Sequence, residues 1–192
     1  MLDKLLFETI KIEDGLISNI YWHNQRCNRS RKALFNSQND IDLEAFITAP
    51  TKGLYRCRIV YNDNIQSVEY IPYQAKQINS IKIIKSQIDY EYKYNNRDEL
   101  TQLLEKEYDD ILIEKNGFLT DTSIANIAFY TDSKWITPKQ PLLRGTFREK
   151  LLKKGFLILK DIKKEEITYF SHFALMNAMI GFQIQENIHI EL

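Results

Sequence analysis

Lys93-Tyr94-Asn95-Asn96-Arg97 stands almost at mid-chain, where a strand-like run (78–88) gives way to a helix-like one (97–108). Whether strands and helices alternate regularly around it decides the fold. Upstream, residues 5–13 and 16–22 are rich in β-formers and flank Asp14-Gly15, a strong two-residue hairpin signal. Residues 23–35 place Cys27, Ser30, Ala33 and Leu34 at helical spacing. Asp40-Ile41-Asp42 reads as a cap for a short helix over 43–47, ahead of Pro50. A second hairpin follows, 54–61 and 65–71 about Asn62-Asp63-Asn64, and residues 72–76 read as a connection. Downstream, strands are expected at 110–114 and 118–130, joined by Asn116-Gly117 and interrupted at Asp121-Thr122-Ser123. A strand at 134–137, a helix at 147–154, a strand at 156–159, a helix at 163–170 and two or three short strands complete the chain. Hairpins and tight turns replace the strand–helix alternation of a doubly wound sheet. The expected class is α+β. A small N-terminal α/β layer spans 1–76, and a mixed β-barrel-like subdomain with helices spans 77–192 and carries Lys93.

The bulk composition narrows the function. With 192 residues and a hydrophobic fraction of 44%, the chain can bury a core in one domain or two small subdomains. Its 26 basic and 26 acidic side chains cancel, which argues against a nucleic-acid or membrane-surface protein. Cys27 and Cys57 have neither metal-like nor disulfide-framework spacing and read as free thiols of a reducing cytoplasm. His23, His172 and His189 are too scattered for a metal site, so no metal is expected. The charged N-terminus is too short for a signal peptide, and no run reaches membrane-spanning length.

Four positions could carry chemistry. Lys93 reads either as a solvated loop lysine or, among Tyr90, Tyr92 and Tyr94, as an amine whose charge burial disfavours, as a Schiff-base lysine requires. Arg26, in His23-Asn24-Gln25-Arg26, reads as part of an exposed basic helix face or as a planar donor for phosphate. Leu143-Arg144-Gly145-Thr146-Phe147-Arg148 is a glycine turn entering a helix, and helix starts suit anions, although many bind none. Asp121 reads as a polar bulge or as a carboxylate that keeps a heterocyclic nitrogen protonated. There is neither a Walker loop nor a Gly-x-Gly-x-x-Gly, so nucleotide cofactors have no support.

Taken in order, these segments resemble the class IV aminotransferase family of pyridoxal phosphate (PLP) enzymes. Leu6-Phe7-Glu8-Thr9-Ile10 resembles its "FET" strand, and His23-x-x-Arg26 its His-x-x-Arg helix. Lys93-x-x-Asn96-Arg97 resembles the lysine segment, in the form typical of aminodeoxychorismate lyases. Gly117-x-x-x-Asp121-x-x-x-x-Asn126, Gly145-x-x-Arg148 and Met176-Asn177-Ala178 resemble three further motifs. The resemblance implies two subdomains with PLP between them, in a cytoplasmic homodimer acting on a small molecule. It makes Lys93 the Schiff-base lysine and Thr9 a catalytic neighbour of the substrate. It assigns the phosphate to Arg26 and to the Gly145-Thr146-Phe147 backbone, the ring nitrogen to Asp121, and a supporting contact to Arg97. The implied reaction releases pyruvate from 4-amino-4-deoxychorismate to give 4-aminobenzoate for folate synthesis. An aminotransferase acting on branched-chain or D-amino acids, or a weakened relative with a binding role, are the alternatives. Asp121 replaces the family's Glu, Ala178 replaces Ser or Thr, and the chain starts at the "FET" strand, as in a shortened member.

Overall fold

The computed structural model describes residues 4–191. They fall into two compact units. One runs up to Ala75 and takes in Tyr92–Asn96; the other comprises Lys76–Glu91 and the described residues from Arg97 onward. Each has its own sheet, so the chain is mixed α/β.

In the first unit β1 (Leu6–Glu13) pairs antiparallel with β2 (Leu16–Ile17) and β3 (Leu54–Tyr61), and β3 pairs with β4 (Ile65–Pro72). Asp14 (φ 47°) and Gly15 (φ 82°) both take left-handed φ, which the two-residue turn requires. The second hairpin strand ends at Ile17, earlier than expected. Asn19 turns left-handed (φ 60°) and its carbonyl accepts from Trp22 and His23, so α1 (Ile20–Phe35) starts in residues that read as strand. A 3₁₀ turn, Leu43–Phe46, is capped by Asp42, whose side chain accepts from the Glu44 N–H. Alternate β1 residues, Leu6, Ile10 and Ile12, join Cys27, Leu43, Cys57, Ile59 and Tyr61 in the core.

In the second unit β5 (Ser80–Lys85) runs parallel to β6 (Asp110–Lys115) and to β13 (His189–Glu191). Antiparallel pairing then links β6 to β7 (Phe118–Thr122), β8 (Asn126–Thr131) and β9 (Lys134–Pro138), and β10 (Leu157–Lys160) runs parallel to β9. β8 also pairs with β11 (His172–Asn177), which pairs with β12 (Gly181–Gln185). The core gathers Ile81, Leu112, Leu119, Ile127, Phe129, Phe173 and Leu175. α2 covers only Asp98–Gln102, far short of the expected run to 108. Leu100 is its one buried residue while Leu104 is 42% exposed, and a helix with a single apolar anchor has little to hold further turns. α3 (Thr146–Lys153) lies on the β8–β11 region through Phe147, Leu151 and Leu152. The expected helix at 163–170 is a 3₁₀ segment, Lys164–Tyr169.

The Lys93 stretch belongs with the first unit, not with the C-terminal unit expected to carry it. The Phe7 N–H donates to the Lys93 carbonyl (3.0 Å), the Asn95 N–H donates to the Leu5 carbonyl (2.8 Å), and Tyr94 bridges Leu6. The stretch thereby meets the free edge of β1 through one bridge flanked by two hydrogen bonds.

Candidate functional site

The first unit holds Thr9, Arg26 and Lys93. Pairing Tyr94 with Leu6 sets the pleat: Tyr92 and Tyr94 pack on the core, edge to face at 6.1 Å. Lys93 therefore falls on the opposite face, with Phe7 and Thr9. Its Nζ lies 4.5 Å from the Phe7 ring centroid. The Arg58 guanidinium, directly across from Thr9 in the ladder, lies 4.9 Å from the same centroid and donates to the Asn95 side chain. Two cations thus share one aromatic ring. The tyrosines flanking Lys93 in sequence line the core beneath it, and Tyr90 belongs to the other unit.

Arg26 is only 6% exposed and directs Nε (2.8 Å) and Nη2 (2.5 Å) to Glu8. His23 Nδ1 reaches the same carboxylate at 2.6 Å. Residues three apart on α1 face one way, so the His-x-x-Arg pair converges on the one charged residue of β1 at core parity. Burial alone would raise Glu8, but Arg26 and the two donors outweigh it and bring it down to about 2. Burial pushes His23 below its ordinary value, which makes it a neutral donor to Glu8 at neutral pH. Arg26 was expected on a phosphate; the partner shown is Glu8, which the sequence reading passed over. The overlooked signal was a Glu at the parity of Leu6, Ile10 and Ile12. Burial raises the free thiols of Cys27 and Cys57 to about 12 and about 11, far above what a nucleophile needs.

The second unit holds Asp121, Gly145, Thr146, Phe147 and Arg97. Asp121 is the fourth residue of β7, not an interruption, and sits opposite Asn126 in the ladder. Asn126 Nδ2 donates to its Oδ1 (2.7 Å) and the Leu143 N–H to its Oδ2 (2.8 Å). Burial pushes this carboxyl up to about 6 against those hydrogen bonds and the nearby Arg148. Asn126 Nδ2 also donates to the Leu143 carbonyl (2.8 Å), which fixes the approach to α3. A Cβ on Gly145 would stand 1.9 Å from Asn126 Oδ1, so any larger residue must displace that side chain. Gly145 caps α3 without a side-chain hydrogen bond. Arg97 Nη2 donates to the Ser123 carbonyl at 2.5 Å, so its observed partner is the turn after Asp121.

Residues 5–186 match the family described as amino-transferase class IV. The chain belongs to the class IV aminotransferase family. A protein of Haemophilus influenzae described as uncharacterized is 39% identical over 184 residues, covering 92% of this chain and 98% of its own. A Haemophilus somnus 129PT crystal structure, provisionally assigned as a 4-amino-4-deoxychorismate lyase, is 37% identical with a TM-score of 0.83, covering 94% of this chain and 99% of that one. A PLP-bound hypothetical aminotransferase from Mycobacterium tuberculosis shares the fold at 15% identity and a TM-score of 0.76, covering 97% and 82%.

Class IV aminotransferases depend on PLP, and the residues here fit it. The second unit supplies a glycine, packed against the Asn126 side chain, at a helix start suited to a phosphate. It also supplies a buried carboxyl suited to a ring N–H. The first unit supplies a lysine on a ring-backed strand edge. Among the described residues no group of three or more His, Cys, Asp or Glu could hold a metal, and no helix is long and apolar enough to cross a membrane.

Proposed function

We propose that this chain is a PLP-dependent lyase that converts 4-amino-4-deoxychorismate into 4-aminobenzoate and pyruvate. The observation that carries the reading is the seat of Lys93, whose amine stands against Phe7 on the same face of β1 as Thr9. A lysine held at a defined position can carry a cofactor and move protons at the reacting carbons. The likeness to the Haemophilus somnus protein, 37% identical over almost its whole length, and the Asn96-Arg97 ending favour lyase over transaminase.

Bound PLP supplies an electron sink for charge developing at the reacting carbon. Lys93 would anchor the group and move the proton at the reacting carbons. Thr9, beside it, orients the substrate. Asp121 would keep the ring nitrogen protonated, the Gly145-Thr146-Phe147 backbone would offer donors to the phosphate, and Arg26, braced by Glu8, would supply a phosphate-binding cation. The reaction balances: a ring C–H loses its proton, the C–O bond to the enolpyruvyl group breaks, the ring becomes aromatic, and the released enolate takes up a proton as pyruvate.

The test is to load purified protein with PLP, reduce with borohydride and map the labelled peptide, then supply 4-amino-4-deoxychorismate. Label on Lys93 with equimolar 4-aminobenzoate and pyruvate is expected, and Lys93→Ala should lose both. Unlabelled, colourless protein would sink the PLP reading. Conversion of the cofactor to its amine form by an amino acid, without release of 4-aminobenzoate, would make the chain a transaminase instead.

A further inference from the structure

Three of the sequence motifs meet on one turn, Thr122–Ala125, between β7 and β8. Arg97, from the lysine motif, donates to the Ser123 carbonyl at 2.5 Å. Asn177, from the late Asn-Ala motif, donates Nδ2 to the Ile124 carbonyl at 3.2 Å. Asn177 is itself held, since its Oδ1 accepts the N–H groups of Met179 and Ile180. Asp110, 2% exposed, accepts the Ser123 N–H at 3.2 Å. Within the turn the Thr122 N–H donates to the Ala125 carbonyl (2.9 Å), and Thr122 Oγ1 accepts from Ile124 and Ala125. The ends of the turn are Asp121 and Asn126, opposite each other in the ladder and hydrogen-bonded. Asn126 in turn fills the space beside Gly145.

We infer that Arg97 and Asn177 are positioning residues, which grip successive carbonyls of this turn and so set Asp121 and the Asn126–Gly145 cradle in place for PLP. They act through the backbone of the turn. The chain of contacts runs from two distant side chains through one turn to both residues that meet the cofactor. Arg97 suits the task because a permanently charged donor makes a stronger bond to a carbonyl than a neutral one does. The role that Arg97 and Asn177 play for the cofactor rests on the PLP reading above; the bracing of the turn does not.

Two measurements separate the two claims. Hydrogen exchange on the cofactor-free protein reads the turn alone. Arg97→Ala should speed exchange at Ser123–Asn126 and at the Leu143 N–H by about tenfold or more, the factor for one lost charge-assisted hydrogen bond. PLP titration of the same proteins reads the consequence. Arg97→Ala should weaken binding by a similar factor and shift the pH at which the bound cofactor changes its visible absorption. Arg97→Lys, which keeps a charged donor, should recover most of both effects. Asn177→Ala should act in the same direction by a few-fold, and the double variant should fall short of the product of the singles, because both release one turn. Thermal unfolding identifies any variant that fails to fold, leaving Arg97→Lys and Asn177→Ala to decide. Unchanged exchange in Arg97→Ala, or faster exchange with unchanged PLP affinity and spectrum, overturns the inference. Wild-type protein that ignores PLP overturns the proposed function and the positioning role with it, while exchange still decides whether the turn is braced.

Discussion

Glu8 and Asp121 are both buried carboxyls, yet their surroundings move them in opposite directions. Glu8, brought down to about 2 by Arg26 and the His23 hydrogen bond against burial, contributes stability that is complete above its unfolded value of 4.5. That contribution, on the order of 3 kcal/mol, is lost as pH falls from 4.5 toward 2. Asp121, raised to about 6 by burial, does the reverse. Its folded form holds a proton the unfolded chain has released, so stability falls by on the order of 3 kcal/mol as pH rises from about 4 to about 6. Urea unfolding of the cofactor-free protein against pH should show that decline in the wild type and lose it in Asp121→Asn; an unchanged slope would mean the carboxyl is better solvated than its burial indicates. Glu8→Gln leaves the Arg26 charge buried without its counter-ion and should cost about 3–5 kcal/mol at pH 7, measured the same way. The candidate residues were partly legible in the sequence, their partners less so. Asp121 and Lys93 stood out by residue type and order. Glu8 did not, because its meaning depends on which side chains α1 lays over it. The same limit hid the partner of Arg97, which lies 26 residues away.

Among the elements, those governed by local geometry were the readable ones. Asp14-Gly15 and Asn116-Gly117 announced their hairpins, because both positions of each turn need left-handed φ and Gly takes it without strain. Asp132-Ser133 makes the same kind of turn (φ 48° and 60°) without a glycine and gave no such signal. The extent of α2 was illegible, since a helix ends where its anchors do, and Leu100 is the only one. Gly145 shows a requirement of approach, not of φ, because its conformation is ordinary and its neighbour leaves no room. Gly145→Ala should displace the Asn126 side chain, lower stability by about 1–3 kcal/mol through overpacking, and weaken PLP binding. Pairing it with Asn126→Ala, which removes the obstructing amide, should recover part of the stability. If Gly145→Ala unfolds at the wild-type midpoint and binds PLP normally, the cradle is looser than drawn.

For the molecule as a whole, the class, the two sheets and the family were legible, and the allegiance of residues 92–96 was not. Their place depends on pairing with a strand some 85 residues earlier, which no local pattern encodes. Native-state hydrogen exchange should place the Asn95 and Phe7 amides in the same cooperative group as the β1–β3 ladder, apart from β5 and β6. Exchange of Asn95 together with Ile83 and Leu112 would contradict the division. The chain thus enters the second unit at Lys76, builds β5, and returns for five residues before leaving again at Arg97. That return makes the orientation of the lysine a question of odd and even. A strand edge offers two sides in alternation, so sliding 92–96 along β1 by one residue would turn Lys93 into the core and put a tyrosine against Phe7, whereas sliding by two would keep its side and move it along the strand. The packing of Tyr92 and Tyr94 in the core therefore does more than bury two rings: it fixes the side on which the amine emerges.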